Sequence, residues 1–326
     1  MVSRLFSLCV FILLSCRVAD AQAIDAGASF RMIDADAYVR LHYENDFFSA
    51  TDYYYSQGIN LEVVHPVFKR FFLTKILASA KHNQQAGIAF EHNGYTPTST
   101  ESVEILYGDR PYAATLTARI ISYSSDDSLR KRITSSLTMG VIGPAAGGQA
   151  MQSTIHQWIN DSQPLGWQNQ IQNDIVINYE AGVENNLASS SGAFVLNVFG
   201  KMRAGTLNVK GSAGLVFVLG RLNRGMSEVF TPARPAADRT FNYHLYWQPM
   251  VNLIGYDATL QGGVFNKTSP YTISSSDLTR QTFQSNAGIV VRFGSINLEY
   301  FQTFLTREFE TGKSHAWGGV RVGVEF

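Results

Sequence analysis

The sequence predicts an all-β fold, a twelve-stranded antiparallel transmembrane β-barrel of a bacterial outer membrane. Three observations carry that prediction. Apolar residues alternate with polar residues or glycine in segment after segment, which is the pattern of a sheet with one apolar and one polar face. The N-terminus reads as an export signal. Only 16% of the 326 residues are charged, yet mean hydropathy is just -0.05, whereas a typical soluble domain carries about 25% charged residues. The 26 Lys+Arg balance 26 Asp+Glu, so there is no basic excess for nucleic acid, and no nucleic-acid partner is expected. Past the first fifteen residues no run approaches the roughly 18 apolar positions that a spanning helix needs, which excludes a helical bundle.

In chain order, residues 1–23 come first. Arg4 precedes the apolar stretch Leu5 to Leu14, and Ala19-Asp20-Ala21 and Ala21-Gln22-Ala23 are small-x-small cleavage sites. Cleavage there removes both cysteines, Cys9 and Cys16, and leaves 24 basic and 25 acidic residues, so no disulfide framework is expected. Leu13-Leu14-Ser15-Cys16 also resembles a lipoprotein site, the less favoured reading. Residues 24–326 then read as one barrel domain.

The alternation places strands near 37–48, 54–65, 84–93, 111–124, 131–142, 174–186, 192–204, 208–220, 242–255, 280–294, 296–306 and 315–326. The last is the clearest: Val320, Val322, Val324 and Phe326 alternate with Gly319, Arg321, Gly323 and Glu325. A secreted β-sandwich also alternates, but its strands average about six residues and these run longer. A sheet in hydrocarbon must close on itself, because no backbone N–H or C=O can stay unpaired there, and an even strand count fits.

With both termini in the periplasm, the connections 49–53, 94–110, 143–173, 256–279 and 307–314 open outside. Segment 66–83 is long for a periplasmic turn. Phe68, Phe71, Phe72, Ile76 and Leu77 sit in it at helical spacing, so a short interfacial helix against the inner leaflet is expected. Segment 221–241 is also long for that side and has no explanation in the sequence.

Polar residues fit for chemistry gather at the outer rim. Strand one ends Glu44-Asn45-Asp46, strand two begins Tyr55-Ser56-Gln57-Gly58, and the connection after strand five holds a glycine-rich run followed by Gln152 and His156. The strand-two phase turns Ile59, Leu61 and Val63 to lipid and so puts Ser56 in the lumen. Strand one puts Arg40, His42, Glu44 and Asp46 on its polar face and Asn45 on the other. Asn45 and Asp46 can therefore share a site only if the strand ends or bulges there.

These residues resemble a known family. Glu44-Asn45-Asp46, the Tyr-Ser-Gln-Gly start of strand two, Gly108-Asp109-Arg110-Pro111-Tyr112-Ala113 and Leu260-Gln261-Gly262 contribute to the likeness. The specific part is the string Gly143-Pro144-x-x-Gly147-Gly148-Gln149-x-x-Gln152-x-x-x-His156, followed by Gly166-Trp167. Together they look like the outer-membrane lipid A 3'-O-deacylase family, over most of the chain. The resemblance implies a twelve-stranded barrel, dependence on Ca2+, and hydrolysis of the ester that carries the 3'-linked acyloxyacyl group of lipid A, with lipopolysaccharide as substrate. It matches the family's functional positions to Asn45, Asp46, Ser56 and His156, and a loop Gln to Gln152. Beyond His156 this chain departs from the family pattern, reading Gln157-Trp158-Ile159-Asn160-Asp161-Ser162-Gln163-Pro164 where relatives can carry acidic and aromatic residues.

The chemistry of the set is coherent. Ester hydrolysis needs a base that activates water, and imidazole titrates near neutral pH, which gives His156 that role. The Asp46 carboxylate and carbonyls of the glycine-rich loop are hard oxygen donors suited to Ca2+. The Asn45 amide can donate to the developing oxyanion, a contribution of roughly 3 kcal/mol at comparable sites. Ser56 is either a nucleophile activated by His156 or an orienter of water. Two other readings stand beside the deacylase: an outer-membrane phospholipase with Ser56 as nucleophile, and a non-enzymatic structural or pore barrel. Asp109-Arg110-Pro111 is read as the start of strand four, with a structural ion pair or a phosphate contact. The sequence leaves acyl-chain preference and oligomeric state open.

Overall fold

The computed structural model describes residues 35–49, 53–80, 82–126, 130–160, 162–190, 193–221 and 241–326. The export segment 1–23, Asp161 and segment 222–240 lie outside the described residues. Twelve antiparallel strands close into one barrel in sequence order. They are β1 (Tyr38–Asn45), β2 (Tyr54–Val64), β3 (His82–Thr96), β4 (Ala113–Asp126), β5 (Lys131–Ile142), β6 (Asp174–Ser190), β7 (Phe194–Gly205), β8 (Asn208–Arg221), β9 (Asn242–Asp257), β10 (Gln281–Phe293), β11 (Ile296–Leu305) and β12 (His315–Glu325). β1 pairs with both β2 and β12, so the sheet has no free edge, as a spanning sheet requires. Each of the twelve expected segments overlaps one strand.

Alternation sorts the side chains. Leu41, Leu61, Phe90, Leu116, Ile177, Leu253, Leu298 and Val322 stand exposed on the outer wall. The opposite phase is polar: the buried Arg40 pairs with Glu62 at 2.9 Å and the buried Arg321 with Glu299 at 2.5 Å, and the half-buried Arg203 pairs with Glu180 at 2.6 Å. Charges taken out of water must be paired, and the closed lumen pairs them across neighbouring strands. At the end opposite the described termini Tyr55, Tyr95, Ile142, Ile171, Leu305 and Trp317 pack into an apolar plug. Arg110 is buried against it, ion-paired to Glu308 and donating to Thr259 Oγ1 at 2.8 Å. Of the two expectations for Arg110, the structure shows the structural ion pair, and strand four begins three residues later, at Ala113.

Segment 66–80 is not the expected helix. It forms two short 3-10 turns, Pro66–Arg70 and Phe72–Ile76, separated by Phe71 in an extended conformation with ψ 135°. It runs as a strap across the outer wall. Ser135 Oγ donates to Ala78 O at 2.6 Å, the Ala80 amide to Ser124 Oγ at 2.6 Å, and the Ala78 amide to the Tyr179 hydroxyl at 3.0 Å. All three side chains lie on the outward phase of β4, β5 and β6, where register aligns Ser135 with Ser122 and Leu137 with Tyr179. Polar groups there would otherwise face hydrocarbon, and the backbone of the strap satisfies them.

Candidate active site on the outer wall

The glycine-rich run after β5 turns the chain back onto the barrel. Gly143 (φ 106°) and Gly147 (φ 76°) take conformations that L side chains rarely adopt. Between them Pro144–Ala146 makes one 3-10 turn, and helix α1 (Gly148–Ile159) follows. The buried residues of α1 are Gly148, Gln152 and His156, one per turn at i, i+4 and i+8. The buried stripe is therefore polar at Gln152 and His156, whereas Trp158 and Ile159 in the last turn are exposed.

Three contacts seat α1 outside the barrel. A Cβ on Gly148 would stand 2.5 Å from the Ala114 Cβ and 2.6 Å from the Trp167 ring. Ala114 shares the outward phase of β4 with the exposed Leu116. His92, on the outward phase of β3 with Ile88 and Phe90, faces the backbone of Ala146. Trp167 Nε1 donates to Gln152 Oε1 at 2.7 Å, and the indole is wholly buried against Tyr112, Ala114 and Ala146.

His156 is buried at the C-terminal end of α1, with Nδ1 2.5 Å from the Ser162 carbonyl oxygen. A carbonyl only accepts, so the proton is on Nδ1, and a neutral ring presents its lone pair at Nε2.

Ser56 is turned outward, not into the lumen. β2 carries a bulge: Tyr55 pairs with Tyr95, Gln57 pairs with Gly94, and Ser56 is the extra residue between them. Tyr55 points inward, donating to Asn93 Oδ1 at 2.9 Å and meeting Trp317 edge-on. Gln57 points outward across Gly94, and Ser56 Oγ lies 2.5 Å from the Thr96 hydroxyl, which is on the outward phase of β3. A strict period of two puts Ser56 on the wrong face because it takes no account of the inserted residue.

The strand-one conflict resolves as the sequence required. β1 ends at Asn45, and Asp46 opens a 3-10 turn, Asp46–Ser49. Arg40, His42 and Glu44 face the lumen, where Trp317 Nε1 donates to Glu44 at 2.9 Å. Asn45 faces out beside Tyr43, and its Oδ1 accepts from the Phe47 amide at 2.8 Å. The turn folds over the outer edge of β11, where Gln302 Nε2 donates to Phe48 O at 3.0 Å and Ser49 Oγ to Gln302 Oε1 at 2.7 Å. Asp46 is buried, one register step beyond the Asn45–Gln57 pair and hence level with Ser56.

All five expected residues thus sit at one end of the barrel, the end opposite the described termini. Gln152 and His156 are on the wall-facing side of α1, and Asn45 and Ser56 are on the outer side of the wall. The oxygens here are one carboxylate, hydroxyls of Ser56 and Thr96, and amide groups. Among the described residues no cluster of three or more His, Cys, Asp or Glu occurs. Such a donor set fits a hard cation such as Ca2+ better than a zinc-type site. Sequence reasoning missed Thr96 and His92. A polar His92 after Ile88 and Phe90 on a lipid-facing phase was the available signal.

A family model described as outer membrane protein LpxR matches residues 5–326. The chain belongs to that family. Among solved structures, LpxR from Salmonella typhimurium is 18% identical and aligns over 89% of this chain and 100% of that one, with a TM-score of 0.71. At that identity the likeness is one of fold, a twelve-stranded outer-membrane barrel. The beta domain of the Bordetella autotransporter BrkA (8% identity, 90% of this chain and 100% of that one) and the translocator domain of NalP from Neisseria meningitidis (13%, 89% and 87%) align with TM-scores of only 0.44 and 0.40. No curated protein sequence matches the chain. Family membership accounts for the closed sheet and the outer-membrane location of this LpxR-family barrel.

Proposed function

We propose that this protein is a Ca2+-dependent esterase that removes the 3'-linked acyloxyacyl group from lipid A in the outer leaflet. One observation carries the reading. The polar side chains of α1 and of the β2 bulge face each other's side of the outer wall, where a lipid arrives by lateral diffusion, and are separated from the plugged lumen. Buried side chains filling that lumen disfavour a pore.

In the proposed reaction His156 Nε2 takes a proton from water as the water oxygen attacks the ester carbonyl. The carbonyl–oxygen bond to the sugar then breaks, the proton passes from His156 to the departing 3'-oxygen, and a fatty acid and a free hydroxyl result. The Ser162 carbonyl holds the imidazole in the required tautomer. Gln152, fixed by Trp167, keeps α1 at its working distance from the wall, and the Asn45 amide donates to the oxyanion. Bound Ca2+ supplies positive charge that polarises the ester carbonyl, and Asp46 is the carboxylate that would hold it. Ser56, hydrogen-bonded to Thr96, orients water and is not the nucleophile.

The test is mass spectrometry of lipid A from cells expressing the wild type or His156→Ala at matched outer-membrane levels. Loss of the acyloxyacyl group with the wild type only supports the reading. Unchanged lipid A in ample calcium refutes it and directs attention to glycerophospholipids.

A further inference from the structure

The strap across β3 to β6 is left unused by the chemistry at the opposite end of the barrel. Its inner side is committed to the wall, through Ser124, Ser135 and Tyr179 and through the buried Thr74 and Leu77. Its outer side is exposed and of mixed character. Val67 (55%), Phe72 (66%) and Ile76 (57%) are open, and Lys69, Arg70 and Lys75 are exposed among them. No Asp or Glu occurs between His65 and Ala80.

Two features identify the occupant of this surface. The first is continuity: the strap lies on the apolar outer wall itself, and at its start His65 stacks on Phe326, the last residue of the lipid-facing β12 phase. Large apolar side chains beside that wall meet acyl chains, not water. The second is charge: three cations with no counter-charge on the same segment are complementary to phosphate-bearing, net anionic headgroups. Both described termini lie at this end, where β2 runs into β3, and with the termini in the periplasm it meets the periplasmic leaflet.

We propose that the strap is a binding site for anionic glycerophospholipid headgroups of the periplasmic leaflet. Phe72 and Ile76 dip among the acyl chains, while Lys69, Arg70 and Lys75 hold the phosphates. Strap backbone groups at Ala78 and Ala80 are hydrogen-bonded to the serines beneath them, so the barrel gains a lipid-selective collar at one end.

The test uses the full chain refolded into phosphatidylcholine vesicles containing an increasing fraction of phosphatidylglycerol. Phe72→Trp reports from the strap, with the fluorescence of the unsubstituted protein subtracted, and quenching is compared between brominated phosphatidylglycerol and brominated phosphatidylcholine. The expected result is preferential quenching by the anionic lipid. Combining Lys69→Gln, Arg70→Gln and Lys75→Gln should weaken the preference by roughly 5-fold per charge removed, and raised salt should weaken it as well. Equal quenching by both lipids would overturn the charge selectivity. No quenching by either would overturn the lipid contact and leave the strap as a surface for a periplasmic protein. Heat-modifiable mobility in electrophoresis verifies that each variant is folded. Every outcome here is independent of lipid A hydrolysis.

Discussion

Gly148→Ala isolates the seating of α1 from everything else in the molecule. The added Cβ would stand 2.5 Å from the Ala114 Cβ and 2.6 Å from the Trp167 ring. Carbon atoms settle at about 3.5–4.0 Å, so the helix must retreat from the wall by about 1 Å, because Ala114 is anchored in the sheet. Overpacking of this kind costs about 1–3 kcal/mol. That cost falls on a helix appended to the outer wall and not on the strand pairing that holds the barrel. The same shift carries Gln152 and His156 away from the wall, and a misplacement of about 1 Å at a reacting centre costs on the order of 100-fold in rate. Deacylation measured on lipid A vesicles should therefore fall by about two orders of magnitude, while the unfolding temperature of the barrel barely moves. Full activity in Gly148→Ala with unchanged stability would refute the argument that the helix must touch the wall to work.

Four other outcomes follow from named contacts. Trp167→Phe keeps the ring but removes the donor to Gln152, and should cost about 1 kcal/mol locally and lower activity less than His156→Ala does, as read by the lipid A assay. Chelation of calcium should abolish hydrolysis and Asp46→Asn should raise the calcium needed to restore it; activity persisting in chelator would remove the metal from the scheme. A serine-directed covalent inhibitor should leave hydrolysis intact, and labelling of Ser56 with loss of activity would make it the nucleophile. Arg110→Met leaves the buried Glu308 without its partner and should destabilise that end of the barrel by about 3–5 kcal/mol. Burial raises the Glu308 carboxyl above its ordinary range and Arg110 opposes that rise. Stability from a raised carboxyl is present below its unfolded pKa and lost as pH rises through the folded one. The variant's deficit should accordingly be small in acid and grow with pH, as thermal unfolding across that range will show.

The alternation of Leu41, Leu61 and Val322 with Arg40, Glu62 and Arg321 settled the barrel in advance, because a pleated strand has a period of two and each strand carries its own pattern. The residue string from Gly143 to His156 likewise located the polar centre, since its glycines mark backbone conformations that only local sequence imposes. Which side of the wall that centre occupies was decided by tertiary structure alone. Ser56 reads as lumenal until the pairing of Tyr55 with Tyr95 and Gln57 with Gly94 leaves it as an inserted residue, and a bulge is a relation between two strands, invisible in either one. The polar stripe of Gln152 and His156 looks like a solvated face until Gly148 brings it against Ala114 and Trp167. The helical spacing in 66–80 yields to 3-10 turns because serines on β4 and β5, distant in sequence, hold its backbone to the wall. Periodicity is local and is written in the chain. The face a residue finally presents depends on partners that only the closed barrel brings together.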